Sequence, residues 1–136
     1  MVGDNRKRIR SILIVDNDDR VLWALKDAFE TKGHKTWTTW SGQEALGLLR
    51  SVEFDVLLTA SYLADMHIGD FLRHVERMAV QPWIVVMEDS LPPRVDLRRC
   101  NVFGISALVD KNDPLKILEV VSSGYAGGPQ AKWTVH

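Results

Sequence analysis

The chain has 136 residues, a net charge of −1 and a single cysteine, Cys100. This length fits one ordinary domain, and the balanced charge argues against a nucleic-acid or membrane-surface binder. One cysteine excludes an internal disulfide, and no apolar run approaches the roughly 20 residues of a membrane helix, so we expect a cytoplasmic protein.

The first half of the chain alternates between strand and helix patterns. A basic leader, residues 1–10, is predicted to be solvated. Residues 11–16 form a continuous apolar run, which predicts a strand buried on both faces. Residues 20–32 repeat apolar side chains at helical spacing, and residues 34–40, rich in Thr and Trp, predict a second strand. Residues 41–44 form a capping box that begins the second helix.

The second half continues the same alternation. Its patterns predict a strand, a helix, a strand, a short polar helix, a strand and a last helix, at residues 54–60, 68–79, 81–87, 92–101, 105–110 and 115–123. Asp113 and Pro114 supply a capping acid and a proline at the first helical position of the last helix. Residues 124–136 contain Gly and Pro with few apolar side chains and predict a flexible tail. Repeated β-α units over residues 11–123 predict one domain with an open parallel sheet.

Several segments resemble the receiver domain of two-component response regulators. They are ILIVDND at 12–18, SGQEAL at 41–46, FDVLL at 54–58, LADMHIGDFLR at 63–73 and GISALVDK at 104–111. Their order and spacing together carry the resemblance. It implies a flavodoxin-like, doubly wound sheet of five parallel strands in the order 2-1-3-4-5, with helices on both faces. It also implies a place in two-component or phosphorelay signalling.

The resemblance implies five site positions at the carboxyl ends of the strands. In the family, two acids after the first strand hold Mg²⁺ and an aspartate after the third accepts the phosphoryl group. A hydroxyl after the fourth strand and a lysine after the fifth contact that group. Aligned without gaps, these positions are Asp16, Asn17, Ala60, Met87 and Lys111.

Three of these five positions lack the group that the chemistry requires. A carboxylate must be the nucleophile that forms an acyl phosphate, and the side chain of Ala60 is a methyl group. Asn17 carries no charge and Met87 no hydroxyl. We therefore expect Mg²⁺ binding at Asp16 and Asp18 to be weak or absent, and no other cofactor or enzymatic activity. The resulting interpretation is a pseudo-receiver that acts by protein–protein interaction.

Two alternatives stay open. Counting back from Gly69 places Ser61 in the acceptor position, which would give a receiver switched by non-standard phosphorylation. A shift of one residue in the fifth strand would replace Lys111 by Asp110. A small flavodoxin-like ligand-binding protein is the alternative of a different class. It is disfavoured because residues 16–20 stand where a Gly-rich phosphate loop would follow the first strand.

The resemblance also implies a partner surface formed by the fourth and fifth helices and the fifth strand. Its charged residues are Arg94, Arg98, Arg99, Lys116 and Glu119. A homodimer stays open, and neither nucleic acid nor membrane is an expected partner. Trp23 and Trp83 are predicted to pack in or near the core, whereas Trp37 and Trp40 are predicted to be partly exposed and are a candidate partner surface.

Overall fold

The structure, a computed structural model, describes residues 9–89, 104–124 and 134–135. Strands and helices alternate along these residues. In chain order they are β1 (Ser11–Val15), α1 (Asp19–Thr31), β2 (Lys35–Thr39), α2 (Gly42–Ser51), β3 (Val56–Ala60), α3 (Ile68–Glu76), β4 (Trp83–Glu88), β5 (Ala107–Asp110), α4 (Pro114–Glu119), a π-helical turn (Val120–Gly124) and β6 (Thr134–Val135). The helix predicted at residues 92–101 lies outside the described residues.

All strands pair in parallel, in the order β2-β1-β3-β4-β5-β6. The first five confirm the order 2-1-3-4-5. The sixth was not predicted: Thr134 and Val135, within the expected tail, pair with Ala107 and Leu108 of β5. The backbone groups on the open edge of β5 give these two residues hydrogen-bond partners, which is the physical reason for the difference.

Helices cover both faces of the sheet, as predicted. The four strands β1, β3, β4 and β5 bury their central side chains almost completely, at residues 12–15, 56–58, 84–86 and 107–109. On one face these strands pack against α2 and α3, through side chains such as Leu46 and Phe71. On the other face they pack against α1 and α4, through Phe29 and Ile117. The continuous apolar strands therefore follow from burial on two sides.

Within the described residues the helix starts predicted at Ser41 and Asp113 are confirmed, and one predicted helix end is wrong. The predicted capping box is only half formed, because the Glu44 carboxylate accepts the Thr39 hydroxyl and not the Ser41 N–H. Ser41 Oγ accepts the backbone N–H of Glu44, 2.9 Å away, at the start of α2. Asp113 caps α4, with Pro114 in its first turn. The helix predicted to reach residue 79 ends at Glu76, because Met78 N–H donates to the Val75 carbonyl in a tighter final turn.

Trp23 contradicts its predicted place in the core, since it is 67% exposed. The buried face of α1 carries Leu22, Leu25 and Phe29. Consecutive helical residues point about 100° apart, so the residue after Leu22 turns away from the sheet. The other Trp predictions fit the structure: Trp83 is buried, whereas Trp40 is 62% exposed and Trp37 half-buried.

Arg10 differs from the solvated leader in which it was predicted. Its side chain is buried, and its guanidinium donates to the Ser122 carbonyl at 3.1 Å. The backbone N–H of Arg10 donates to His34 Nδ1, also at 3.1 Å. The packed domain therefore includes this residue, while residues 1–8 lie outside the described residues. None of the helices within the described ranges has the length and apolar character needed to cross a membrane.

Candidate functional site

The candidate site lies at the carboxyl end of the sheet, where β1, β3, β4 and β5 end side by side. Asp16 follows β1, Ala60 ends β3, Met87 is next to last in β4, and Lys111 follows β5. The sheet register pairs Ala60 with Met87, and Met87 with Val109. Parallel pairing therefore brings together positions that are far apart in the sequence.

Asp16 and Lys111 form an ion pair at this end of the sheet. Asp16 is completely buried, and its Oδ2 lies 3.1 Å from Lys111 Nζ. Its Oδ1 accepts the backbone N–H of Asp18 at 2.9 Å. Lys111 Nζ also lies 3.6 Å from the exposed Asp89 carboxylate. A buried carboxylate requires a compensating charge, and the Lys111 ammonium supplies it to Asp16.

Lys111 and its neighbour Asp110 have different surroundings. Lys111 lines the cavity of the site, whereas Asp110 Oδ1 accepts the backbone N–H of Asn112 at 2.8 Å in the turn that follows β5. Of these two residues, Lys111 is the one that lines the cavity and pairs with Asp16.

A cavity of about 140 Å³ opens above this ion pair. Its lining residues are Asn17, Ala60, Ser61, Tyr62, Met87, Asp89 and Lys111. The side chains of Ala60 and Met87 are nearly inaccessible and make its floor apolar. Ser61 is half-buried and donates its backbone N–H to the Met87 carbonyl at 2.9 Å. The cavity therefore offers an apolar floor where the resemblance implies a carboxylate and a hydroxyl.

The residues present fit a divalent cation poorly. Asp18 is the N-cap of α1, and its Oδ1 accepts the Arg20 N–H at 2.9 Å. Asp16 Oδ1 accepts the Asp18 N–H, and Oδ2, which accepts no hydrogen bond, is paired with the Lys111 ammonium where a cation would have to bind. Across the described ranges, no three His, Cys, Asp or Glu side chains are grouped closely enough to hold a metal ion. Mg²⁺ prefers several oxygen ligands with charge to match its own, so weak or absent binding stays our prediction.

Sequence reasoning missed two residues of the cavity, Asp89 and Tyr62. Asp89 directly follows β4, so the rule that selects the carboxyl ends of strands would have included it. Tyr62 lies two residues beyond β3 and is exposed. Of the predicted partner surface, Lys116 and Glu119 on α4 form an exposed ion pair at 3.1 Å. Arg94, Arg98 and Arg99 lie outside the described residues.

The loop after β3 is tied to the start of α2 by Asp65. One of its carboxylate oxygens accepts the Gly42 N–H at 2.9 Å, and the other accepts the Gln43 N–H at 3.0 Å. These backbone hydrogen bonds, first from Gln43 and then from Gly42, lower the pKa of Asp65. Because Ser61 and Tyr62 belong to the same loop, this contact holds one wall of the cavity in place.

No protein-family model and no curated protein matches the sequence. The fold, by contrast, matches that of many solved structures. The non-phosphorylated receiver domain of the stress response regulator RcsB from Escherichia coli has a TM-score of 0.78 and 16% identity, covering 95% of this chain and 99% of that one. The chemotaxis response regulator CheY4 of Vibrio cholerae has a TM-score of 0.73 and 18% identity, covering 84% and 99%. A two-component response regulator from Clostridium difficile has a TM-score of 0.74 and 22% identity, covering 90% and 99%.

These likenesses, at 16–22% identity, establish the architecture of the chain. The fold is that of the CheY-like receiver domains of response regulators. Each of the three known structures is matched over nearly its whole length.

Proposed function

We propose that this chain is a receiver-like domain of two-component signalling that acts through protein–protein contacts and is not phosphorylated on aspartate. One observation carries the proposal. The acceptor position at the end of β3 is Ala60, whose methyl group lies in the cavity between Asn17, Met87 and Lys111. No carboxylate stands there to attack a phosphoryl donor.

The electrostatics of the site support the same conclusion. A phosphoryl group brings about two negative charges, which metal ions and cationic side chains must offset. Here the Lys111 ammonium lies between the carboxylates of Asp16 and Asp89. Its single charge is thus already balanced, and little positive potential remains for an incoming phosphoryl group.

The cavity also favours a binding domain over an enzyme. Ser61 and Tyr62 contribute hydroxyl groups to its lining. Activating a hydroxyl nucleophile requires an adjacent base, usually a histidine, and the described lining residues include no histidine. The carboxylate among them, Asp89, is exposed and lies 3.6 Å from the Lys111 ammonium, which weakens it as a base. We therefore propose no catalytic turnover at this site.

The proposal is tested by intact-mass spectrometry after incubation with acetyl phosphate and Mg²⁺. We expect the wild-type mass to stay unchanged. The variant Ala60→Asp/Asn17→Asp/Met87→Thr restores the three missing groups and serves as the positive control, which should gain one phosphoryl group. A wild-type chain labelled as fully as this control would contradict the proposal.

Phosphorylation of Ser61 is the second candidate, favoured by its place in the cavity lining. A serine phosphoester would survive the acid or hydroxylamine treatment that cleaves an acyl phosphate. Incubation with extracts of the source organism and ATP, comparing wild type with Ser61→Ala, tests it directly. Stable labelling of the wild type that disappears in the variant would establish this candidate in place of the phosphorylation-independent one.

The contact surface is proposed to include α4, where Lys116 and Glu119 are exposed. The exchange Lys116→Glu/Glu119→Lys keeps an opposite-charge pair while reversing the charge pattern that a partner meets. We expect it to reduce capture of the partner at unchanged thermal stability. Equal capture by wild type and variant, measured by quantitative mass spectrometry, would exclude this pair from the interface.

A further inference from the structure

A second groove lies on the α1 side of the sheet, at the β2 edge. It has a volume of about 480 Å³ and lies between α1 and the β2–α2 connection. Its lining residues are Asp19, Leu22, Trp23, Lys26, Thr38, Thr39, Trp40 and Glu44. Trp23 is 67% exposed and Trp40 62%. Large aromatic side chains exposed together along a groove are typical of binding surfaces.

Carboxylates flank the two indoles. Trp40 Nε1–H donates to Asp19 Oδ1 at 2.7 Å, which orients this ring at the rim. Glu44 Oε1 accepts the Thr39 hydroxyl. Among the described residues, the second oxygen of each carboxylate has no hydrogen-bond partner. Both oxygens are therefore available to a donor that enters the groove.

The positive charge in the lining, that of Lys26, is already paired with a carboxylate outside the groove. Lys26 Nζ lies 2.6 Å from Glu30 Oε2, on the next turn of α1. The hydrogen bond from Lys26 also lowers the pKa of Glu30, so this carboxylate is ionised at neutral pH. The lining thus presents aromatic faces and two carboxylates, a combination that is complementary to a cation.

We propose that this groove, the Trp23–Trp40 groove, is a docking site for an arginine side chain of a partner protein. A guanidinium stacks on an aromatic face and donates hydrogen bonds to carboxylates at the same time, which a compact ammonium does less well. The groove that both indoles line has a volume of about 480 Å³, which is enough for a planar guanidinium.

This inference rests on the proposed protein–protein function and adds the chemistry of the partner. It concerns a surface apart from α4: β2 is one edge of the sheet, and β5, which precedes α4, lies at the other side. A partner that spans the α1 face could contact the Trp23–Trp40 groove at one end and α4 at the other.

The test titrates the full chain with a blocked tri-arginine peptide, observed through the indole N–H signals in ¹H–¹⁵N NMR. We expect saturable shifts of the Trp23 and Trp40 signals, with a Kd of roughly 0.1–1 mM for so small a probe. Tri-citrulline, which has nearly the same shape without the charge, should not bind, and tri-lysine should bind several-fold more weakly. Equal affinity for tri-lysine, or no saturable shift, would overturn the proposal.

Variants locate the binding. Trp23→Ala and Asp19→Asn should each weaken tri-arginine binding at least about tenfold, since each removes one of the groups that contact the guanidinium. Val80→Ala and Asp70→Asn are matched controls, because both residues are exposed and lie outside the groove. Loss of affinity in the controls equal to that in the groove variants would show non-specific attraction and would overturn the proposal.

This readout is independent of the phosphorylation test. A wild-type chain labelled by acetyl phosphate would overturn the phosphorylation-independent function while tri-arginine binding could persist. A chain that stays unlabelled but does not bind tri-arginine would retain the proposed function and lose only the arginine site.

Discussion

Lys111 and Asp16 join the ends of two strands that do not neighbour each other. Their Nζ and Oδ2 atoms are 3.1 Å apart, yet β3 and β4 lie between β1 and β5 in the sheet. The ion pair therefore passes across the carboxyl ends of β3 and β4, where Ala60 and Met87 stand. The carboxyl end of the sheet therefore holds two apolar side chains beside a buried ion pair.

Removal of the Lys111 ammonium is expected to lower the stability of the fold. In Lys111→Met, the fully buried Asp16 carboxylate loses its partner, and we expect a loss of about 3 kcal/mol in the free energy of unfolding. Urea denaturation followed by circular dichroism measures it. The double variant Asp16→Asn/Lys111→Met removes both charges and should recover part of the loss.

Lys116→Met is the matched control for this prediction. It also removes a lysine from an ion pair of 3.1 Å, but Lys116 and Glu119 are exposed, with side-chain exposures of 41% and 64%. Such pairs contribute about 0–1 kcal/mol. A loss in Lys111→Met no larger than in this control would show that the buried pair does not stabilise the domain.

Restoring the acceptor alone should not restore a switch. In Ala60→Asp, the new carboxylate joins Asp16 beside a single lysine, Asn17 adds no anionic metal ligand, and Met87 has no hydroxyl to move towards a phosphoryl group. We expect labelling by acetyl phosphate at least about tenfold slower than in the triple variant with Asn17→Asp and Met87→Thr. Mass spectrometry measures the labelling.

NMR shifts of residues 108–111 report whether the labelled protein changes conformation. Fast labelling of the single variant, together with shifts in these residues, would refute this prediction. The triple variant is also expected to be less stable than wild type without metal, because neighbouring carboxylates repel one another.

Mg²⁺ at millimolar concentration is expected to change the Trp fluorescence and the thermal stability of the protein little. Asp18 caps α1, both oxygens of Asp16 have protein partners, and Asn17 is uncharged. We expect no saturable change in Trp fluorescence and a thermal midpoint within about 1 °C of the metal-free value, since a ligand that does not bind does not stabilise. A Kd at or below about 1 mM, which corresponds to roughly 4 kcal/mol, would show that the remaining acids suffice.

Asp65 is expected to make the stability of α2 depend on pH. Its pKa is lowered by the hydrogen bonds from Gln43 and Gly42, so the folded state favours the ionised form. This contribution is fully present above the unfolded pKa of about 3.9 and is lost as the pH falls through the lower folded pKa. Asp65→Ala should therefore cost about 1 kcal/mol at pH 7, and the cost should fall as the pH is lowered below the unfolded pKa.

Ser41→Ala is the control for Asp65→Ala. It removes a cap of the same helix, the hydroxyl that accepts the Glu44 N–H. A serine hydroxyl does not titrate in this range, so its cost, also about 1 kcal/mol, should not depend on pH. Urea denaturation at several pH values compares the two variants. A cost for Asp65→Ala that is equally constant with pH would contradict the prediction.

The sequence by itself determined the layout of the domain. Continuous apolar runs at β1 and β3 indicated strands buried on both faces, and Ser41 and Asp113 marked helix starts, because these signals act between residues close in the chain. The proposal that Ala60 stands at the acceptor position also came from the sequence, through its resemblance to receiver domains, and it does not depend on packing because a methyl group is not a nucleophile.

Only the tertiary structure decided how distant groups meet. The ion pair of Asp16 with Lys111 and the hydrogen bonds of Asp65 to α2 join segments at least 22 residues apart, and no local pattern encodes them. Trp23 was predicted in the core from its hydrophobicity, but the direction of a side chain on α1 depends on which face of the helix meets the sheet. Two residues of the expected tail form β6 because the open edge of β5 offers backbone partners, a property of the assembled sheet and not of the segment that joins it.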